Sequence, residues 1–228
     1  MVKVDVKLFH TIQRFLPAVI PNKLWKKIGA LMFDAEIFYS KRLRPSLFPS
    51  QGSGERLYEY SWVLKNLHHK GSRLLDVGCG DSLFGYKLVK LGFEVYAIDL
   101  KCHPTLKKGG FTFVQADITR APFKDNSFDW ILAVSTIEHI EDDTTCMKEL
   151  CRMLADDGTL LVTVPLGYPF YDSSTLNRLL IDDFIQVEEQ YFFPIGRNWV
   201  RVSKNEVNQM IKKAGKTLGG AFLAFQKR

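Results

Sequence analysis

Four cysteines in 228 residues, none in paired Cys-x-x-Cys spacing, argue against a disulfide framework and against a zinc site. Apolar runs are short, and none approaches the roughly 18 residues that a membrane-spanning helix requires. Lys3 and Lys7 are followed by no apolar core of signal-peptide length with a small-residue cleavage site. These absences lead to the expectation of a soluble cytoplasmic protein. There is no internal repeat, no low-complexity tract and no constellation of metal ligands. An even spread of charge is missing as well. The formal net charge is +6, and residues 1–50 hold nine Lys or Arg against three acids, leaving twenty-two of each sign in the remainder. The body is neutral, without the basic stripe expected of a nucleic-acid-binding fold.

What is present is an alternation of helix and strand. The first fifty residues mix apolar and basic clusters with Pro17, Pro21, Pro45 and Pro49. Within them Leu24, Trp25, Ile28, Leu31, Met32, Ala35 and Phe38 recur at helical spacing between Lys23 and Tyr39. The break at Ser50-Gln51-Gly52-Ser53-Gly54 divides the chain into a basic amphipathic helical extension, residues 1–54, and a catalytic domain, residues 55–228. Helices are expected at Glu55 to His69, Leu83 to Leu91, Asp143 to Leu154, Thr175 to Phe184 and Ser203 to Ala214. Strands are expected at Arg73 to Val77, Glu94 to Leu100, Phe111 to Ile118, Phe128 to Ser135, Thr159 to Leu166, Gln186 to Phe193 and Ala221 to Lys227. The result is an α/β fold, a doubly wound and mainly parallel seven-stranded sheet with helices on both faces.

The stretch with chemical content is Leu75-Asp76-Val77-Gly78-Cys79-Gly80. An acid two positions before a Gly-x-Gly turn suits a cationic or amine-bearing ligand, and the glycines allow close backbone approach. The G-x-G-x-x-G spacing of a dinucleotide turn is absent, since Leu83 stands three after Gly80. Asp99 closes the second strand, where a carboxylate accepts from both ribose hydroxyls, and Asp117 closes the third. Each acid alone is also explained as a cap or turn residue; three at successive strand ends point into one crevice.

These residues, with Val95-Tyr96-Ala97-Ile98-Asp99, Gln115-Ala116-Asp117-Ile118, Pro122 to Asp129, Glu138-His139-Ile140 and Asp157 to Val162, resemble the class I S-adenosylmethionine-dependent methyltransferases. The likeness is strongest to the group acting on quinones and small molecules, and covers roughly residues 70–166. It implies a Rossmann-like fold and S-adenosyl-L-methionine as cofactor. Gly78, Cys79 and Gly80 would line its methionine moiety; Asp99 and the adjoining Leu100 would meet the ribose side. Asp117 with the Ile118 backbone would hold the adenine, and Ser135 would lie by the amino-acid end. Ser82 stands where many relatives carry a third glycine, and is suited to cap the next helix.

His139 follows the fourth strand and is the candidate general base for a hydroxyl acceptor, or else a structural histidine beneath the cofactor. Glu141, Asp142 and Asp143 read as helix-entry charge. The acceptor pocket is expected from Tyr168, Phe170, Tyr171, Tyr191, Phe192, Phe193 and Trp199 with Arg197 and Arg201, unless these rings are core. The acceptor is expected to be a small molecule, glycan or lipid-linked compound methylated at oxygen. Two alternatives stay open, a non-catalytic cofactor-binding regulatory partner and an RNA methyltransferase. Ser135-Thr136-Ile137-Glu138 occupies the place where base amino methyltransferases often carry Asn/Asp-Pro-Pro-Tyr, which argues against that chemistry. The extension fits an anionic membrane surface, a lid, or a helical layer packed on the core.

Overall fold

The computed structural model describes residues 55–228 except 69–71, 83, 104–105, 107–109, 168, 173, 196–197 and 215–218. The basic extension, its helix and its boundary at residue 54 therefore lie outside the described residues, as do Tyr168 and Arg197. The elements run α1 (Glu55–Asn66), β1 (Arg73–Val77), α2 (Phe84–Lys90), β2 (Glu94–Asp99), β3 (Thr112–Gln115), β4 (Phe128–Val134), α3 (Asp143–Met153), β5 (Leu154–Leu166), β6 (Phe184–Ile195), β7 (Asn198–Val202), α4 (Lys204–Ala214) and β8 (Gly219–Lys227). Single 3-10 turns occupy Ile118–Arg120, Ile137–His139 and Thr175–Leu179.

One sheet has the order β3-β2-β1-β4-β5-β8-β6-β7. β1 pairs in parallel with β2 and β4, β2 with β3, and β4 with β5. β8 lies antiparallel between β5 and β6, and β7 is antiparallel to β6. After β3 the chain crosses back to the other side of β1, which opens a crevice at the carboxyl ends of β1 and β4.

The period of two along the strands divides the interior into two cores. Leu74, Leu132, Leu161 and Phe222 pack with Trp62 of α1 and with Phe84 and Leu88 of α2. Leu75, Ile131, Leu160 and Leu223 pack on the other face with Met147 and Leu150 of α3 and Val207 of α4. Because both faces are covered, β1 and β4 are buried along almost their whole length rather than at every second residue. Among the described residues no helix is long and apolar enough to cross a membrane.

The sheet has eight strands where seven were expected. The added one is β7, which pairs antiparallel with the end of β6, Asn198 opposite Ile195. The helix expected from Thr175 to Phe184 is a 3-10 turn ending at Leu179. The Asp172 Oδ1 caps its start by accepting from the backbone N–H groups of Ser174 and Thr175, both at 2.8 Å, and the chain leaves the helical path at Leu180, φ −89 and ψ 82. β3 ends at Gln115, two residues short of Asp117. The helix before β5 does not wait for Asp157-Gly158, since Leu154 already pairs with Phe128.

Candidate functional site

The tip of β1 is stitched to its neighbours through the glycine turn. Gly78 has φ +66 and donates its N–H to Ile98 O at 2.8 Å. A Cβ at Gly78 would overlap the Thr136 side chain, so the close approach requires glycine in addition to the backbone angle. The Thr136 hydroxyl lies 3.0 Å from Val77 O and 3.1 Å from Val134 O, tying the ends of β1 and β4. Gly80, at φ +56, faces open space where a Cβ would meet nothing within 4 Å. Ser82 caps α2 by accepting from Phe84 N at 3.0 Å.

Asp99 is held in place by two backbone donors. Gly80 N–H reaches its Oδ2 and Lys101 N–H its Oδ1, both at 2.9 Å. Each carboxylate oxygen keeps a further lone pair for another donor. Asp117 sits past β3 and caps the Ile118–Arg120 turn, its Oδ1 accepting from the Thr119 N–H and hydroxyl, each at 2.9 Å. Those two bonds favour the ionised form and hold its carboxyl below the ordinary range.

Gly78, Asp99, Leu100, Asp117, Ile118, Ser135 and His139 line one cavity of about 620 Å³. Asp76, Cys79 and Gly80 do not line it. Of the three expected acids, Asp99 and Asp117 line this cavity. Asp76 faces the interior of the sheet, 5% exposed, because its place in a central strand buries it. Burial pushes its carboxyl up to about 7; Arg56 opposes the shift and Asp99 adds to it. Cys79 is buried against Ala97 and Leu106, and burial drives its thiol far above the ordinary range. It is inert packing beneath the turn.

Ser135 follows β4 at φ +44, an unusual angle for a residue other than glycine. His139 is exposed at the cavity wall, with Nε2 3.9 Å from the Oε1 of Glu138, whose own side chain is buried. The Phe170 ring stands edge-on to His139 at 6.1 Å between centroids. The remaining aromatic residues of the expected acceptor pocket separate: Tyr171 and Tyr191 are core, Phe192 and Phe193 pack on opposite faces of the sheet, and Trp199 lies beside Tyr58. Arg201 is exposed on β7. Asp142 caps α3 through Thr145 N at 2.9 Å, and Asp143 is buried, accepting from Tyr171 and pairing with Arg178.

Three residues of α1 reach the ends of β1 and β4, of which only Tyr60, on the helix's apolar stripe, had a signal in the sequence. Arg56 Nη1 donates to Val134 O at 2.8 Å. Glu59, 1% exposed, accepts from the hydroxyls of Ser135 and Thr163. Tyr60 stacks on Phe84 with centroids 4.0 Å apart, and its hydroxyl lies 3.0 Å from Ser82 Oγ.

Residues 75–162 match the model of a family described as a methyltransferase domain. The ubiquinone biosynthesis O-methyltransferase of Xanthomonas oryzae pv. oryzae is 33% identical over 128 residues, covering 51% of this chain and 48% of that protein. The chain thus spans about half the length of the curated relatives it matches. Among solved structures, the 1,6-didemethyltoxoflavin-N1-methyltransferase of Burkholderia thailandensis, crystallised with S-adenosylhomocysteine, aligns with TM-score 0.58 at 16% identity over 89% of each chain. The cyclase SpnF aligns with TM-score 0.58 at 18% identity, covering 76% of this chain and 81% of that one. At such identities the likeness carries the fold, and a cyclase among the neighbours means that the fold alone does not name the reaction.

Proposed function

We propose that the chain, whose residues 75–162 match the methyltransferase-domain family, is a class I S-adenosylmethionine-dependent methyltransferase acting on a small-molecule, glycan or lipid-linked acceptor at oxygen. The observation that carries this reading is the convergence of Gly78, Asp99, Asp117, Ser135 and His139 on one cavity beyond the ends of β1 and β4. Its volume, about 620 Å³, lies within the range of small-ligand sites. The residues fit the cofactor. Gly80 leaves open space, Asp99 is fixed with acceptor capacity to spare, and Leu100 offers an apolar side chain that is 66% exposed.

When bound, S-adenosylmethionine supplies a methyl group already activated on a sulfonium. The backbone of Gly78 to Gly80 would line the methionine portion, with Cys79 packed behind it. Asp99 would accept from the ribose hydroxyls, with Leu100 against the nucleoside. The second oxygen of Asp117 and the Ile118 backbone would serve the adenine, and Ser135 the amino-acid end. Asp76 would act from beneath as a buried partner for positive charge. His139 would take the proton from the acceptor hydroxyl, with Phe170 as an apolar rim beside it. Acceptor oxygen chemistry is supported by the name of the Xanthomonas relative.

Calorimetry with S-adenosylmethionine and S-adenosylhomocysteine, followed by a mass-spectrometric screen for methylated products, tests the reading. Absence of affinity for both compounds defeats it. Affinity without any product assigns the chain to the non-catalytic regulatory partners, and methyl transfer to RNA alone assigns it to the RNA enzymes. With an acceptor in hand, His139→Ala should lower kcat by roughly 10²–10⁴ and remove the corresponding acid limb of the pH profile. An unchanged profile rejects the base.

A further inference from the structure

Ser135 occupies the left-handed region, φ +44, at the point where β4 hands the chain to the cavity wall. A side chain there crowds its own backbone, so the conformation persists only if neighbours hold it. The neighbours are specific. Ser135 N–H donates to Thr163 O at 2.9 Å and lies 3.1 Å from Thr163 Oγ1. The Ser135 hydroxyl donates to Glu59 Oε1 at 2.5 Å, and the Thr163 hydroxyl donates to the same oxygen at 2.7 Å. Glu59 Oε2 faces Arg56 at 3.3 Å, and Arg56 Nη1 returns to Val134 O, the carbonyl just before Ser135.

This clamp comes from α1, which precedes the segment matched by the methyltransferase model. Arg56, Glu59 and Tyr60 stand at i, i+3 and i+4, one face of the helix, and reach the tip of β4 and the turn after β1. A carboxylate with 1% exposure is costly unless its lone pairs are used. Here one oxygen is spent on the two hydroxyls that fix the Ser135 turn.

We infer that Glu59 is a positioning residue for the cofactor pocket, keeping Ser135 in its left-handed conformation from the α1 side. The inference rests on the reading of the cavity as an S-adenosylmethionine site and adds the group that holds its wall in shape.

The test uses the full chain, its affinity for S-adenosylhomocysteine by calorimetry, and the melting temperature without ligand. Glu59→Ala should weaken binding roughly tenfold or more, whereas Glu59→Gln, whose amide oxygen can accept both hydroxyls, should stay within about threefold. Glycine tolerates the left-handed region, so in a Ser135→Gly background the Glu59→Ala loss should shrink to less than about threefold. A purely structural glutamate would lower the melting temperature and cost the same affinity in both backgrounds, which overturns the inference. Folded Glu59→Ala with wild-type affinity also overturns it. If Glu59→Ala does not fold, Thr163→Val decides. It keeps the shape, removes the shared hydroxyl, and should weaken binding at least roughly threefold; wild-type affinity then overturns the inference. Lack of affinity in the wild-type chain is a different failure, that of the cofactor reading itself.

Discussion

A buried carboxyl poised near neutrality makes the behaviour of this site depend on pH at a single residue. Asp76 is raised to about 7 mainly because β1 buries it. In the unfolded chain an aspartate titrates near its ordinary value of about 3.9. Between those values the folded state binds the extra proton, so the contribution of Asp76 to stability is full below pH about 4 and is lost as pH rises through about 7. Three units correspond to at most about 4 kcal/mol, and Asp76→Asn should flatten this decline in urea titrations repeated from pH 4 to pH 8. Ligand binding runs the other way. A sulfonium or ammonium group placed above Asp76 favours its ionised form, so binding near neutrality should release a proton and affinity should rise with pH. Calorimetry of S-adenosylmethionine at pH 6.5 in two buffers of different ionisation enthalpy measures the release. Equal heats in the two buffers would show that Asp76 does not sense the ligand.

At the scale of elements, α3 shows how a helix end can fix a loop. Arg152, in its last turn, donates to Phe123 O at 2.8 Å and Asp125 Oδ1 at 2.7 Å, and its other nitrogens reach Glu149 and Ala121 O. The loop from Ala121 to Asp125, which leads into β4, is thereby fixed to the helix that follows that strand. Arg152→Ala should cost about 1–3 kcal/mol in denaturant unfolding, and Arg152→Lys should recover little, because an ammonium cannot span those acceptors. The helix itself was legible: Cys146, Met147, Leu150 and Met153 recur at helical spacing and are all fully buried. The clamp on α1 was not, because Arg56 and Glu59 look like an ordinary solvated helix face until the fold brings Ser135 beneath them, although Tyr60 belongs to the helix's apolar stripe with Leu57, Leu64 and Leu67. β7 was not legible, because neither Gln190 to Ile195 nor Asn198 to Val202 alternates apolar with polar residues.

Over the whole molecule, the parallel half was readable because each of its strands is an apolar run closed by glycine or a polar residue. The antiparallel half was harder, because β8 returns from the end of the chain to lie beside β5, and no local pattern encodes that neighbour. Of the site, the residues at strand ends were legible as chemistry, while their depth was not: Asp76 and Asp99 carry the same side chain, yet burial separates them. Charge is the other molecular-scale feature. The whole formal excess of +6 belongs to residues 1–50, against a neutral remainder. If the acceptor is lipid-linked, this segment would supply the recruitment, since each Lys or Arg near an anionic surface contributes about 1 kcal/mol. The full chain should therefore sediment with phosphatidylserine vesicles at low ionic strength and be released as salt shortens the screening length. Reversing Lys23, Lys26 and Lys27 to Glu should weaken that association by on the order of a hundredfold or more. S-adenosylhomocysteine affinity of the same variant reports on the pocket independently. A chain that stays in the supernatant at low salt would remove the membrane from the account and leave a freely diffusing acceptor.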